Sequence, residues 1–276
     1  MPANSPPPDN HVHTHWSWDT ASTSTMARAC ERAIDLGLPA IAFTEHLDFT
    51  VWDPADRATD EGLVERHRSR HAEIDVAGYV AELAEVRERY PQLRIWSGVE
   101  CGEPHLFGAS VAAHLRAAPV DRVLGSLHSL AHEGRLYGVG QLLWDDPDGT
   151  ARRYLTEVAD MVESSDVFQV LAHVDFPRRY WPGGTHRYVE KDYEDEYRAI
   201  FRALADSERA LEVNTTSPLA SVDQLRWFRE EGGQIVSFGS DAHQPTAVGQ
   251  RFDLAVDVVE AAGFRPGRDA FDFWRR

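Results

Sequence analysis

Residues 10–19, NHVHTHWSWD, combine the pattern of a short β-strand with an unusual number of potential metal ligands. Side chains at alternate positions of a strand point to the same face, so His11 and His13 are expected to lie side by side. Burying imidazoles in this way is costly unless they have partners. The segment therefore predicts either a His-rich surface strand or the first part of a metal site, to which Asp19 returns from the following loop.

Six further apolar segments have the length and composition of strands that are covered on both faces. They are residues 39–44, 93–99, 122–126, 167–172, 210–213 and 234–239, and residues 10–13 bring the number of predicted strands to seven. Amphipathic helical patterns lie between them, which predicts parallel pairing through βαβ units. We therefore expect an α/β fold built as a (β/α) barrel, with a doubly wound open sheet as the alternative.

The domain organisation predicted from the sequence is simple. A Pro-rich lead-in, residues 1–9, is expected to be disordered, and residues 10–276 are expected to form a single domain without linkers or repeats. Residues 47–74 form one unusually long polar connection, which is expected to be a lid or a binding loop.

The composition limits the classes of function. A formal net charge of −17 argues against binding to a nucleic acid polymer or an anionic membrane, because both need a basic face. Bound divalent metals can nevertheless reverse the sign of the charge inside a site. Two cysteines without a CxxC pair, no signal-like start and no apolar run of about 20 residues predict a cytoplasmic protein without a membrane segment. The oligomeric state is left open.

Polar residues follow every predicted strand within a few positions. In α/β barrels the carboxyl ends of the strands converge on one face, where active sites lie. The residues at these ends are His11, His13, Asp19, Glu45, His46, Glu100, His128, His173, Asp175, Asn214, Asp241 and His243. Imidazoles and carboxylates in this mixture suit zinc, manganese or iron, and there are more of them than one ion needs. The sequence thus predicts two or three divalent metal ions, bridged by a carboxylate such as Glu100.

The order of these motifs resembles that of the PHP family, named for polymerase and histidinol phosphatase domains. The matching motifs are HVH at 11–13, TEH at 44–46, Glu100, GSLH at 125–128, LAH at 171–173 and SDAH at 240–243. The resemblance implies a single-domain, distorted (β/α)7 TIM-like barrel with a trinuclear metal cluster. The implied ligands are His11, His13, Glu100 and Asp241 for one metal, Glu100, His128 and His173 for a second, and Asp19, His46 and His243 for a third. Position 19 is often histidine in the family.

Within the family, the length and the segment VLAHVDFPRRYWP at 170–182 most resemble monofunctional histidinol-phosphate phosphatases. This resemblance implies metal-dependent hydrolysis of a small phosphate monoester, L-histidinol phosphate, in histidine biosynthesis. The expected substrate-binding residues are Arg178, Arg179, Asn214 and Trp18, since planar guanidinium groups suit phosphate oxygens. The expected catalytic residues are Asp241, His243 and Glu100, and either Asp241 or His243 would protonate the leaving alkoxide.

Three alternatives are left open. The first is a PHP-family phosphoesterase that acts on nucleotides or a phosphodiester, and the second is a non-catalytic metal-binding regulatory module. The third is an amidohydrolase-type C–N hydrolase, because such enzymes also begin with HxH, although many bridge their metals with a carbamylated lysine. The only lysine, Lys191, lies in the charged helical stretch KDYEDEY, which disfavours this third alternative.

Overall fold

The computed structural model describes residues 6–52, 73–183, 187–216 and 218–276. Its strands are β1 (Asp9–Val12), β2 (Ala40–Leu47), β3 (Arg94–Gly102), β4 (Arg122–Ser126), β5 (Ser129–His132), β6 (Arg135–Gly138), β7 (Val170–Leu171), β8 (Ala210–Asn214), β9 (Ile235–Gly239) and β10 (Trp274–Arg275). Its α-helices are α1 (Met26–Asp35), α2 (Phe49–Trp52), α3 (Val76–Arg89), α4 (Gly108–Ala117), α5 (Val139–Leu142), α6 (Pro147–Ser164), α7 (Glu194–Asp206), α8 (Val222–Glu230) and α9 (Phe252–Ala261). Short 3-10 turns cover Phe176–Tyr180, Glu190–Tyr193 and Pro245–Ala247.

The parallel strands form a sheet in the order β1-β2-β3-β4-β7-β8-β9, and β10 adds to β9 antiparallel. The sheet closes where the residues after β9 meet β1. The N–H of Asp241 donates to the carbonyl of His11 over 2.7 Å, and the N–H of His13 donates to the carbonyl of Ala242 over 2.9 Å. Helices cross between successive parallel strands, as parallel pairing requires. The predicted distorted (β/α)7 barrel is therefore confirmed, and the open-sheet alternative is wrong.

Alternation along the strands separates two environments. On β2, Ile41 and Phe43 belong to the main hydrophobic core, which also contains the buried faces of the helices. Ala40 and Ala42, on the other face of β2, form a small apolar cluster with Trp96 of β3. Because side chains alternate in strands, the positions that follow on this second face carry the polar groups at the carboxyl ends of β2 and β3.

Side-chain caps define where several helices begin. Thr25 accepts a hydrogen bond from the N–H of Arg28 at the start of α1, and Asp75 accepts one from Gly78 at the start of α3. Ser221 caps α8 in the same way through the N–H of Gln224. Such caps satisfy backbone donors that have no partner within the helix, so the chain enters each helix at a defined residue.

Part of the predicted lead-in is ordered. Residues 7–9 are buried, and Asp9 begins β1. The Asp9 carboxylate accepts hydrogen bonds of 2.9 Å from the N–H groups of Ser240 and Gly249, which anchors the chain to the segment after β9. The prediction of disorder is therefore wrong for these residues, whereas residues 1–5 lie outside the described part of the chain.

Other differences concern short elements. The β5–β6 hairpin and β10 were not predicted, because they are only two to four residues long. The predicted strand 167–172 is reduced to Val170–Leu171. Residues 53–72, most of the predicted lid, lie outside the described residues. Among those described, no helix combines the length and apolar composition that a bilayer span requires.

Candidate metal centre

The carboxyl ends of the barrel strands bring all nine predicted metal-ligand residues to one place, around the carboxylate of Glu100. This side chain projects from β3 and is 1% exposed. Its two oxygens lie within 3.5 Å of a nitrogen from each of five imidazoles. The distances are 3.5 Å to His11, 3.3 Å to His13 and 3.1 Å to His46 from Oε2, and 3.4 Å to His128 and 2.7 Å to His173 from Oε1.

The first predicted group contains four donor atoms: Nε2 of His11 and His13, Oε2 of Glu100, and Oδ1 of Asp241. The two Nε2 atoms are 3.0 Å apart, and the Glu100 and Asp241 oxygens lie 3.3 to 3.5 Å from them. Tetrahedral ligands at zinc bond lengths of about 2.1 Å are separated by about 3.4 Å. Among the residues that the structure describes, the buried Oε2 of Glu100 also has no hydrogen-bond partner. These residues therefore fit a divalent cation in both spacing and donor chemistry.

The second predicted group forms. Oε1 of Glu100 faces Nε2 of His128 and of His173, and the three donor atoms lie within 4.8 Å of one another. In the third group, Oδ2 of Asp19 lies 3.3 Å from Nε2 of His46 and 3.0 Å from Nε2 of His243. The second group is thus spaced for one ion, whereas the third is joined by the separate contacts of Asp19 with its two imidazoles.

In this centre, charged neighbours shift the pKa values of the buried groups in the direction opposite to burial. Burial alone would lower the pKa of His11, yet the neighbouring carboxylates hold it well above its usual value. Burial also disfavours charged His128, but Glu100 outweighs it and raises the pKa of His128 to about 10. Burial would raise the pKa values of both Glu100 and Asp241. His11 and His128 nevertheless hold the pKa of Glu100 well below its usual range, and Arg179 and His11 do the same for Asp241. Without a cation, the centre therefore holds protons in its place.

The two adjacent arginines have different environments. Nη2 of Arg179 lies 2.5 Å from Oδ2 of Asp241 and 3.1 Å from Oδ1 of Asn214, so Arg179 and Asn214 join the predicted ligands. Nη1 of Arg178 instead pairs with Oδ2 of Asp175 at 2.9 Å. Successive residues of a 3-10 turn point about 120° apart, which sends the two guanidinium groups in different directions. Within the described residues, Arg178 makes no hydrogen bond or ion pair with a predicted metal ligand, and its role in substrate binding stays a prediction.

Trp18 is linked to the centre through Asp48, which was not among the predicted site residues. Its Nε1 donates to Oδ2 of Asp48 over 2.9 Å, and its ring centroid is 5.8 Å from that of His46. The buried Asp48 carboxylate also lies 3.4 Å from Nδ1 of His46 and 3.7 Å from Nδ1 of His128. The sequence signal was an acidic residue two positions after His46, at the end of an apolar strand.

Other buried carboxylates, which are not predicted ligands themselves, position the predicted ligands through hydrogen bonds. Glu45 accepts hydrogen bonds from Thr14 and Ser17 and fixes the loop after β1. Glu212 of β8 lies 2.7 Å from Nδ1 of His11. Glu45 was among the residues predicted at the strand ends, without an assigned role, whereas Glu212 was not predicted. The signal for Glu212 was a charged residue within the apolar strand ALEVN, because buried acids are rare without a partner.

The lysine expected of many amidohydrolases is not at this centre. Lys191 is exposed on the 3-10 turn Glu190–Tyr193. The carboxylate between the imidazoles is that of Glu100, which is buried. The architecture therefore supports a bridge made by a glutamate.

Comparison with known proteins agrees with this geometry. The PHP domain model matches residues 9–216. The chain is 26% identical over 264 residues to a histidinol-phosphatase of Lactococcus lactis subsp. lactis, covering 93% of this chain and 91% of the relative. It is 28% identical over 268 residues to a probable histidinol-phosphatase of Deinococcus radiodurans, covering 93% and 94%.

Two solved structures share the fold. The crystal structure of histidinol phosphate phosphatase from Lactococcus lactis, in complex with zinc, L-histidinol and phosphate, has a TM-score of 0.75 at 24% identity and 94% coverage of both chains. A putative histidinol phosphatase from Listeria monocytogenes has a TM-score of 0.74 at 18% identity, covering 90% of this chain and 99% of the other. Because the domain model matches more than half of the sequence, this chain belongs to the PHP domain family.

Proposed function

We propose that this protein is a metal-dependent phosphatase that hydrolyses L-histidinol phosphate to L-histidinol and inorganic phosphate. The observation that carries the proposal is the convergence of five imidazoles on the Glu100 carboxylate, with Asp241 completing a first group at ligand spacing. The histidinol-phosphatase names of the relatives support the choice of substrate. The zinc, L-histidinol and phosphate in the Lactococcus lactis structure support it as well.

In this proposal the centre would hold two or three zinc, manganese or iron ions. The first would be held by His11, His13, Glu100 and Asp241, the second by Glu100, His128 and His173, and a third by Asp19, His46 and His243. When bound, such ions supply an activated water nucleophile and neutralise the phosphoryl oxygens. Glu100 would be the carboxylate shared by two ions, since its two oxygens face different imidazoles.

Arg179 is the residue of this chain that positions the phosphate. Its guanidinium is fixed between Asp241 and Asn214, and its side chain is 15% exposed, so it faces the centre in one orientation. A planar guanidinium suits phosphate oxygens and supplies local positive charge in a chain with a net charge of −17. Trp18, held by Asp48, forms an apolar wall beside His46, where the organic part of the substrate would rest.

His243 is the better of the two candidates for the acid that protonates the leaving alkoxide. Asp241 is buried, and Arg179 and His11 hold its pKa well below the usual range, so it stays ionised. Burial opposes charged His243, but Asp19 outweighs burial and raises the pKa of His243. The His243 side chain is also 34% exposed. His243 can therefore carry a proton near neutral pH when the third metal position is empty, so its role as the acid excludes its role as a ligand of a third ion.

The test is phosphate release from L-histidinol phosphate after reconstitution with zinc or manganese. p-Nitrophenyl phosphate, a nucleoside monophosphate and a phosphodiester serve as competing substrates. We expect a strong preference for L-histidinol phosphate and loss of turnover on addition of a chelator. His128→Ala should also abolish turnover, because Nε2 of His128 faces Glu100.

His132→Ala is the matched control, since His132 is exposed on the β5–β6 hairpin and should keep full turnover. Preference for a nucleotide or a phosphodiester would be consistent with metal-dependent phosphoester hydrolysis but would contradict L-histidinol phosphate as the substrate. Absence of turnover of every phosphoester by the fully metallated protein would favour a regulatory module. Full metal content and turnover in His128→Ala would contradict the ligand assignment.

A further inference from the structure

We infer that Glu212 is a positioning residue that presets two ligands of different ions, His11 and His173, and thereby sets the affinity of the first two metal positions. The inference rests on the proposed function. Glu212 does not touch the expected substrate position in this scheme, so it acts through the two histidines.

The contacts of Glu212 divide between its two oxygens. Oε1 lies 2.7 Å from Nδ1 of His11. Oε2 accepts a 2.7 Å hydrogen bond from the backbone N–H of His173 and a 3.0 Å hydrogen bond from Nδ2 of Asn214. The residue is 3% exposed, so these partners, rather than water, satisfy its charge. One carboxylate therefore joins β1, β8 and the segment after β7.

The contact with His11 selects the tautomer that a metal ligand needs. A carboxylate 2.7 Å from Nδ1 accepts the proton of that nitrogen. When His11 is neutral, Nε2, which faces Glu100 and Asp241 at 3.5 Å, is then the nitrogen that carries the lone pair. A hydrogen bond of this kind fixes ring orientation and raises ligand basicity, and its loss typically costs 10- to 100-fold in metal affinity.

The contact with His173 acts on the backbone. His173 has a φ of 20°, at the edge of the left-handed region, and Asp241 on the neighbouring side of the site has a φ of 51°. Non-glycine residues keep such backbone angles only where the surroundings impose them. The hydrogen bond from the His173 N–H to Glu212 supplies that constraint, and it aims Nε2 of His173 at Glu100, 2.7 Å away.

The neighbouring strand leaves room for this carboxylate. Gly239 of β9 pairs with Asn214 of β8. A Cβ at position 239 would lie 2.0 Å from Oε1 of Glu212 and 2.7 Å from Cβ of His11. Only glycine at this position allows Glu212 to reach His11 with the strands in register.

The third predicted metal position provides an internal comparison. Within the described part of the chain, the hydrogen bonds of Glu212 reach His11, His173 and Asn214 and none of the third group. A change at Glu212 should therefore weaken two positions selectively. A general loss of structure would weaken all of them.

The experiment is a zinc titration of the whole chain carrying Glu212→Gln, with bound metal per chain measured against buffered free zinc. Glutamine keeps the volume but offers one acceptor oxygen, so it cannot serve both His11 and His173. We expect the free zinc required to fill the first two positions to rise 10- to 100-fold, with occupancy of the third unchanged.

Val213→Ala is the matched control. Val213 is the adjacent residue of β8 and belongs to the main hydrophobic core, so this variant should lower thermal stability without shifting any zinc midpoint. If Glu212→Gln does not fold, Glu212→Asp keeps the charge but is too short to reach both partners, and it should show the same selective shift.

An unchanged zinc titration in a folded Glu212 variant would overturn the inference. A uniform shift of all positions that parallels the stability loss of Val213→Ala would overturn it too. Failure of the wild-type protein to hydrolyse L-histidinol phosphate would reject the proposed substrate, but it would leave the zinc titration and its interpretation unaffected.

Discussion

Replacement of Gly102 by alanine is expected to disturb the metal centre through Asp48. Gly102 ends β3, where its backbone is paired with Ser126 of β4 and cannot shift freely. A Cβ at position 102 would lie 2.1 Å from Oδ1 of Asp48, and contacts under about 3.0 Å essentially never occur. The carboxylate must therefore move by roughly 1 Å, away from a position where it accepts from Trp18 and faces His46 and His128.

The expected loss of stability in Gly102→Ala follows from the close packing around this residue. Adding a methyl group to a filled interior costs about 1 to 3 kcal/mol. For a domain of 150 to 250 residues each kcal/mol lowers Tm by roughly 2 to 4 °C, so we expect a fall of roughly 2 to 12 °C. Because Asp48 borders two predicted ligands, turnover of L-histidinol phosphate should also fall, by about 10- to 100-fold.

A double-mutant cycle tests this reasoning. Gly102→Ala, Asp48→Ala and the double variant are compared by thermal unfolding and by phosphate release. Asp48→Ala removes the atoms that the new methyl group would meet, so Gly102→Ala should cost little in that background, with a coupling energy of about 0.5 to 3 kcal/mol. Gly108→Ala is the control, since nothing lies within 4 Å of its Cβ and it begins α4.

The result that would refute the reasoning is additivity. If Gly102→Ala lowers stability equally with and without the Asp48 carboxylate, the methyl group meets something else, and Asp48 does not depend on the glycine. Wild-type stability and turnover in the single variant would refute it as well.

Two further predictions concern charges at the centre. Arg179→Ala should lower kcat/KM for L-histidinol phosphate by about 10- to 150-fold, since a hydrogen bond to a charged group contributes about 1.5 to 3 kcal/mol. Arg178→Ala should lower the free energy of unfolding instead, and an equal loss of kcat/KM in both variants would contradict this distinction. Zinc binding at pH 7.5 should release protons. The raised pKa values of His11, His46 and His128 keep these imidazoles charged without metal, whereas an imidazole binds zinc only in its neutral form. Calorimetry in buffers of different ionisation enthalpy measures this release, and a binding enthalpy that does not depend on the buffer would contradict it.

Much of the fold could be predicted from local pattern. Seven parallel strands and the helices between them follow from apolar runs of strand length and from amphipathic periodicity. The elements that were not predicted, the β5–β6 hairpin and β10, are only two to four residues long. Their stability comes from neighbours in space, so their own residues carry little signal.

The predicted ligands came together for a related reason. His11 and His13 share a face because strand side chains alternate, and Glu100 and His128 follow strands whose carboxyl ends meet in any parallel barrel. Position along a strand therefore determined which side chains enter the centre. This part of the site could therefore be predicted from the local sequence together with one rule, that the carboxyl ends of parallel barrel strands meet on one face.

Only the tertiary structure determined which side chains contact and support those ligands. Arg178 and Arg179 are identical and adjacent in the sequence, yet only Arg179 reaches Asp241. Glu212 contacts His11 across 201 positions of the chain, through space that Gly239 leaves open. Such contacts depend on the direction of each side chain and on the register of neighbouring strands. Both are determined by packing over the whole barrel, so no local pattern in the sequence specifies them.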